Sequence, residues 1–128
     1  MYLRFVVGRV DPQSRRRQGL FHAVGALRAS DRVSPSDVDR LNGLRDWFAD
    51  NLPVPTRFSL SPKPHRKAQA LSWFKDDAAS HIGRMREYKE VLETYDVAVE
   101  MLRTRRPGYI VYEDYCQVVS YPFADTPC

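Results

Sequence analysis

Nine of the chain's twenty basic residues lie in three short clusters, and clustered basic side chains are suited to binding anions. The clusters are Arg15, Arg16 and Arg17; Lys63, Arg66 and Lys67; and Arg103, Arg105 and Arg106. Twenty less nine leaves eleven basic residues against sixteen acidic ones, so the formal charge of +4 is segregated along the sequence. If folding brings the clusters together, they predict one positive surface for nucleic acid, nucleotides or an acidic protein.

The third cluster lies at the end of a predicted strand whose one face changes from apolar to charged. Alternate positions carry Val97, Val99, Met101, Arg103 and Arg105. Because residues two apart share a face of a strand, that face ends in two guanidinium groups. Guanidinium groups bind phosphate or carboxylate through paired hydrogen bonds, and Trp73, Tyr109 and Tyr112 are candidates for stacking on bases. The alternative is a strand that simply ends in solvent.

An alternative function rests on two adjacent acidic residues, Glu113 and Asp114. Carboxylates beside a basic group are what a metal-dependent nuclease or a nucleotide hydrolase uses, and His65 or Arg105 would supply the partner. An acidic pair in a tight turn is equally explained by the turn itself. The sequence has no zinc-type Cys or His spacing and no glycine-rich phosphate loop, so we expect no metal, no cofactor and no identifiable catalytic residue.

The remaining residues of possible chemical interest have ordinary interpretations. His22, His65 and His81 lie far apart in sequence, and each is best read as a surface or core-edge histidine. Cys116 and Cys128 are expected to be free thiols, which suits a reducing compartment. No apolar run approaches the roughly 20 residues that cross a bilayer, and the N-terminus has the pattern of a strand. These features predict a cytoplasmic protein without membrane contact.

The elements that must position these residues indicate a single α+β domain over residues 1–128. Strands are expected at 2–10, 70–75, 97–105, 109–112 and 117–121, and helices at 19–30, 35–52 and 78–95. This order predicts a mixed sheet of about five strands that ends in a C-terminal β-meander, with three helices packed on it. The strand at 97–105 follows a strand and a helix, so it is a candidate for parallel pairing with the strand at 70–75.

Capping residues and prolines set the expected helix boundaries. Ser34 followed by Pro35 is a strong helix start, and Pro53 ends that helix because proline donates no backbone hydrogen bond. Residues 53–67 form a proline-rich basic loop that is expected to be extended and mobile. Asp76 or Asp77 is expected to cap the third and longest helix.

Several phrases of the sequence resemble a family of small uncharacterised bacterial proteins. They are Asp46-Trp-Phe, Asn51 to Phe58, Ser72 to Lys75, and Arg106 to Asp114 with Gln117-Val-Val119. The resemblance implies no activity, substrate or catalytic residue.

Function is therefore predicted from the residues alone. The leading hypothesis is a non-catalytic binding module whose basic loops engage an anionic macromolecule, either nucleic acid or an acidic protein. A third hypothesis is a homo-oligomeric or accessory module that uses exposed Tyr and Trp as interface anchors.

Overall fold

The computed structural model describes residues 1–12, 14–55 and 69–128. Within them, three helices and a six-stranded antiparallel sheet form one small domain, which confirms the α+β prediction. The elements are β1 (Tyr2–Val10), β2 (Arg17–Gly19), α1 (Leu20–Ala29), α2 (Pro35–Asn51), β3 (Leu71–Lys75), α3 (Ala79–Thr94), β4 (Glu100–Thr104), β5 (Tyr109–Glu113) and β6 (Gln117–Tyr121).

Strand β1 organises the sheet because it pairs with three other strands. Strand β4 pairs with it from Tyr2 to Val6. Strand β3 pairs with Tyr2 and Leu3, and β2 pairs with Val6 and Val10. A strand has two edges, so β2 and β3 share the edge opposite β4 and separate from each other around Arg4. From β3 the sheet continues through β6 to β5.

The described ladders are all antiparallel, which corrects the expected mixed sheet. Strand β4 does not pair in parallel with β3 but lies antiparallel to β1, so β5 and β6 form a hairpin and β4 is not part of a C-terminal meander. Alternation along 97–105 predicted which residues of β4 share a face, but it carries no information about the partner strand. Strand β2 was not predicted, because Arg-Gln-Gly has no strand-like pattern.

The link between β4 and β5 is short for the distance between these strands. These strands have three others between them, which is about 19 Å in a flat sheet, whereas the four linking residues 105–108 reach about that far only when fully extended. The link instead crosses one face of the sheet, where Ser120 Oγ donates to the Pro107 carbonyl at 2.7 Å. That face buries a second core around Val6, Trp73 and Val118.

The helices cover the opposite face, which carries Leu3, Phe5 and Val7 of β1. Helix α2 starts as predicted, since Ser34 Oγ accepts a hydrogen bond from the Asp37 amide at 3.2 Å. It has 17 residues and is longer than α3, which has 16 and was expected to be the longest.

The predicted cap of α3 is wrong. Its N-cap is Ala78, without a side-chain hydrogen bond. A backbone turn in which the Ala78 amide donates to the Lys75 carbonyl at 3.0 Å places Asp76 and Asp77 before the helix.

Candidate functional site

The register of β1 places the first and third basic clusters at opposite ends of the sheet. Arg17 lies beside Val10, at the end of β1, whereas Arg103 lies beside Leu3, near its start. The seven residue-to-residue steps from Leu3 to Val10 span about 23 Å at ~3.3 Å per step. The fold therefore does not collect these two clusters on one small surface, and each has to be considered as a separate candidate site.

The first cluster is partly engaged within the protein. Arg17 Nη1 lies 2.5 Å from a carboxylate oxygen of Glu100, and its Nε donates to the Cys128 carbonyl at 3.3 Å. The Arg16 backbone carbonyl accepts a hydrogen bond from the Asp11 amide at 2.7 Å. Arg15 is exposed in the turn between β1 and β2. The cluster thus ties β2 to β4, which is a structural role that the sequence did not indicate.

The third cluster combines with an arginine of α3 that sequence reasoning missed. Met101 packs against the main core as predicted, and Arg103, two residues later, lies on the same face in an exposed position. Arg103 and Arg86 line one surface concavity of about 430 Å³ beside the start of α3, and we call this concavity the arginine groove. The sequence alone could not place Arg86 beside Arg103, because Arg86 lies 17 positions earlier. Only the pairing of β4 with β1 shows that the two arginines are close.

Charge in the arginine groove is incompletely neutralised. In the part of the chain that the structure describes, no ion pair or side-chain hydrogen bond involves Arg86, Arg103 or Arg105. Asp76 also lines the groove, where its carboxylate lies 3.8 Å from the amino group of Met1. Arg106 differs from its neighbours, since it pairs with Asp125 at 3.2 Å and lies over the Phe123 ring.

The second cluster, Lys63, Arg66 and Lys67, lies outside the described residues, as do His65 and most of the predicted loop at 53–67. Its charge still matters for the whole chain. Residues 56–68 carry four of the twenty basic residues and no acidic one, so the rest of the chain has sixteen basic and sixteen acidic residues. The net charge of +4 therefore belongs to this segment.

The acidic pair proposed for catalysis is used by the turn between β5 and β6. Glu113 pairs with Lys75 Nζ at 2.6 Å. Asp114 accepts hydrogen bonds from the Cys116 and Gln117 amides at 2.9 and 3.1 Å and from the Tyr112 hydroxyl at 2.7 Å. Burial alone would raise the pKa of Asp114, but hydrogen bonds from the Cys116 amide and thiol, the Gln117 side chain and the Tyr112 hydroxyl outweigh it and lower the pKa to about 2.

The histidines and aromatic residues are mostly structural. His81 is buried, and its Nε2 lies 2.8 Å from the Asn51 carbonyl, so it is a core-edge histidine as predicted. His22 is exposed on α1. Trp73 is 1% exposed and cannot stack on a base or anchor an interface, whereas Tyr109 is 58% exposed.

Across residues 1–12, 14–55 and 69–128, no group of three or more His, Cys, Asp or Glu side chains is arranged to hold a metal ion. None of the helices in these ranges combines the length and the apolarity needed to span a membrane.

No protein-family model, no curated protein and no solved structure matches the chain. The resemblance to small bacterial proteins therefore stays a prediction, and any function has to be inferred from the geometry.

Proposed function

We propose that this protein is a non-catalytic binding protein whose arginine groove engages an anionic macromolecule. The observation that carries the proposal is the placement of Arg86 and Arg103, from α3 and β4, in one concavity without an ion pair to either in the described part of the chain. Arg105 comes two residues after Arg103 and is exposed. Guanidinium groups in this arrangement offer several forked donors to an anion at little cost in internal pairing.

Of the two partners that the sequence left open, nucleic acid has the better support. An acidic protein would need only the positive charges for binding, whereas single-stranded nucleic acid also uses exposed aromatic rings on which bases stack. Tyr109 is exposed four residues after Arg105, across a short link in which Pro107 restricts the backbone. The excess charge in residues 56–68 adds long-range attraction for a polyanion. The proposal retains a cytoplasmic location, and self-association stays a prediction.

The direct test is binding of the purified protein to fluorescently labelled mixed-sequence RNA and DNA, single- and double-stranded, over a salt series. We expect single-stranded binding at about 1–100 µM in low salt that weakens linearly on a log-log salt plot. The same titration is repeated with magnesium. Loss of the label under that condition would support the alternative function, a metal-dependent nuclease.

The double substitution R103E/R105E should weaken this binding by about tenfold or more, because each reversal both removes a donor and adds a repulsive charge. Its control for a single distant charge reversal is Arg45→Glu, since Arg45 is also an exposed arginine, on α2. Equal losses in the two variants would overturn the assignment to the groove. If none of the nucleic acids binds at low salt, the partner proposed for the groove becomes an acidic protein.

A further inference from the structure

The separation of β2 from β3 opens a cavity of about 390 Å³ beside β1, and its lining residues differ from those of the arginine groove. Strand β3 pairs with β1 at Tyr2 and Leu3, and β2 pairs with it only from Val6 onwards. The cavity lies where these partners diverge, with Arg4, Gly19 and Leu71 among its lining residues. Its volume is within the range of small-molecule sites, which begin at about 300 Å³.

Arg4 and Trp73 lie next to each other at this divergence. Tyr2 pairs with Lys75 and Leu3 with Phe74, so one further step of the same register would set Arg4 opposite Trp73. The two residues therefore share a face of the sheet, on adjacent strands that have just separated, and both line the cavity.

Both side chains are buried and carry a donor without an acceptor. Arg4 is 8% exposed and Trp73 is 1% exposed. Arg4 Nη2 donates to the Arg17 carbonyl at 2.6 Å, but Arg4 Nη1 and Trp73 Nε1 have no hydrogen-bond partner in the structure described here. Buried donors are nearly always paired, because an unpaired one has lost its hydrogen bonds to water without replacement. Two of them in one cavity indicate that an acceptor belongs between them.

The electrostatics around Arg4 also favour an anion. The pKa of Arg4 is lowered to about 10; burial is the largest cause, and the nearby Arg17 and Arg16 also lower it, whereas the charges of Cys128 and Asp11 raise it. The guanidinium thus remains charged at neutral pH in a site where its neighbours do not fully compensate it. An anionic group at Nη1 would supply the missing charge.

The rest of the cavity is predominantly apolar. Phe5, Leu20, Leu71 and Phe74 line its interior, and the exposed residues Phe21 and Val54 line it where it meets solvent. One guanidinium donor and one indole donor match the two oxygens of a carboxylate, whereas a phosphate would leave oxygens facing hydrocarbon. We infer that this cavity binds a small molecule with one carboxylate and an apolar body, its oxygens accepting from Arg4 Nη1 and Trp73 Nε1.

The test uses sodium decanoate as the probe and ¹⁵N-labelled full-length protein. The chain has two tryptophans, so the Trp73 indole N–H signal is identified by its loss in Trp73→Phe. We expect decanoate to move this signal downfield with a Kd of about 100 µM or tighter, and 1-decanol to bind at least about tenfold more weakly. Arg4→Met should weaken decanoate binding by about tenfold or more, and Arg9→Met, on the exposed part of the same strand, should not.

Four results would overturn the inference. They are an indole signal unmoved by about 1 mM decanoate, equal affinity for decanoate and decanol, unchanged affinity in Arg4→Met, and an equal response to about 1 mM inorganic phosphate. If Arg4→Met does not fold, the comparison of decanoate with decanol on the natural sequence still decides the question. None of these outcomes depends on nucleic-acid binding, because Arg86, Arg103 and Arg105 do not line the cavity.

Discussion

At the scale of single residues, the side chains that looked reactive in sequence prove to be held in structural hydrogen bonds. Asp114 accepts from two backbone amides and a tyrosine hydroxyl within one turn, and Glu113 pairs with Lys75. Sequence reasoning gave this interpretation beside the catalytic one, because acidic residues in tight turns cap backbone amides. It could not choose between them, since the choice depends on which donors face the carboxylate after folding.

Asp114→Asn should reduce the free energy of unfolding by about 1–2 kcal/mol at pH 7, because the lowered pKa of Asp114 reflects hydrogen bonds to its charged form in a partly exposed site. The unfolded chain has the higher pKa, 3.8 against about 2, so this contribution is complete above pH 4 and is lost as the pH falls toward 2. Urea unfolding of both proteins at pH 7 and pH 2.5 measures it. A difference that stays constant across this range would contradict the account, and Asp50→Asn, on the exposed side of α2, is the control.

Cys116 should be unreactive in the folded protein. It is fully buried, and burial together with the hydrogen bond to the Asp114 carboxylate raises the pKa of its thiol to about 12. Because the thiolate is the nucleophile, iodoacetamide at pH 8 should modify the partly exposed Cys128 first and Cys116 only after unfolding. Peptide mass spectrometry of time points reads out both sites, and rapid native alkylation of Cys116 would show that this prediction is wrong.

At the scale of elements, the close approach of β5 to the end of β6 depends on one glycine. Gly108 has φ +126, and a Cβ at this position would collide with the Tyr121 carbonyl. Gly108→Ala should therefore destabilise the protein by about 2–4 kcal/mol. Gly43→Ala is the matched control, since Gly43 lies within α2 with open space around it and the change should stabilise by about 0.5–1 kcal/mol. Thermal unfolding of both variants measures the contrast, and similar effects from the two would contradict it.

The sequence predicted most elements but not how the strands pair. Strand β6 and the start of α2 were predicted at their observed positions, because alternation and the Ser34-Pro35 cap are local signals. Strand β4 was assigned to the wrong neighbour and the wrong direction, since its own residues cannot specify a partner. That pairing decides the site, because it places Arg103 beside Leu3 and near Arg86.

At the scale of the whole molecule, the long central strand determines how charge is distributed. Arg15 and Arg16 lie beyond one end of β1, whereas Arg103 lies beside Leu3 near the other end and Arg105 follows it in the chain. The sequence could not show whether the basic clusters converge. The register of β1 shows that the first and third clusters do not. A rigid anionic partner of modest size cannot contact both clusters at once, and our proposal assigns it to the arginine groove, where arginines of α3 and β4 meet.

The most direct test of this claim compares the salt dependence of nucleic-acid binding in R103Q/R105Q with that in R15Q/R16Q. Neutral substitutions remove phosphate contacts without adding repulsion, and each lost contact lowers the slope of log K against log salt by about 1. The account predicts a slope smaller by about 2 in R103Q/R105Q and essentially unchanged in R15Q/R16Q. Equal reductions in the two variants, or a reduction confined to R15Q/R16Q, would contradict it.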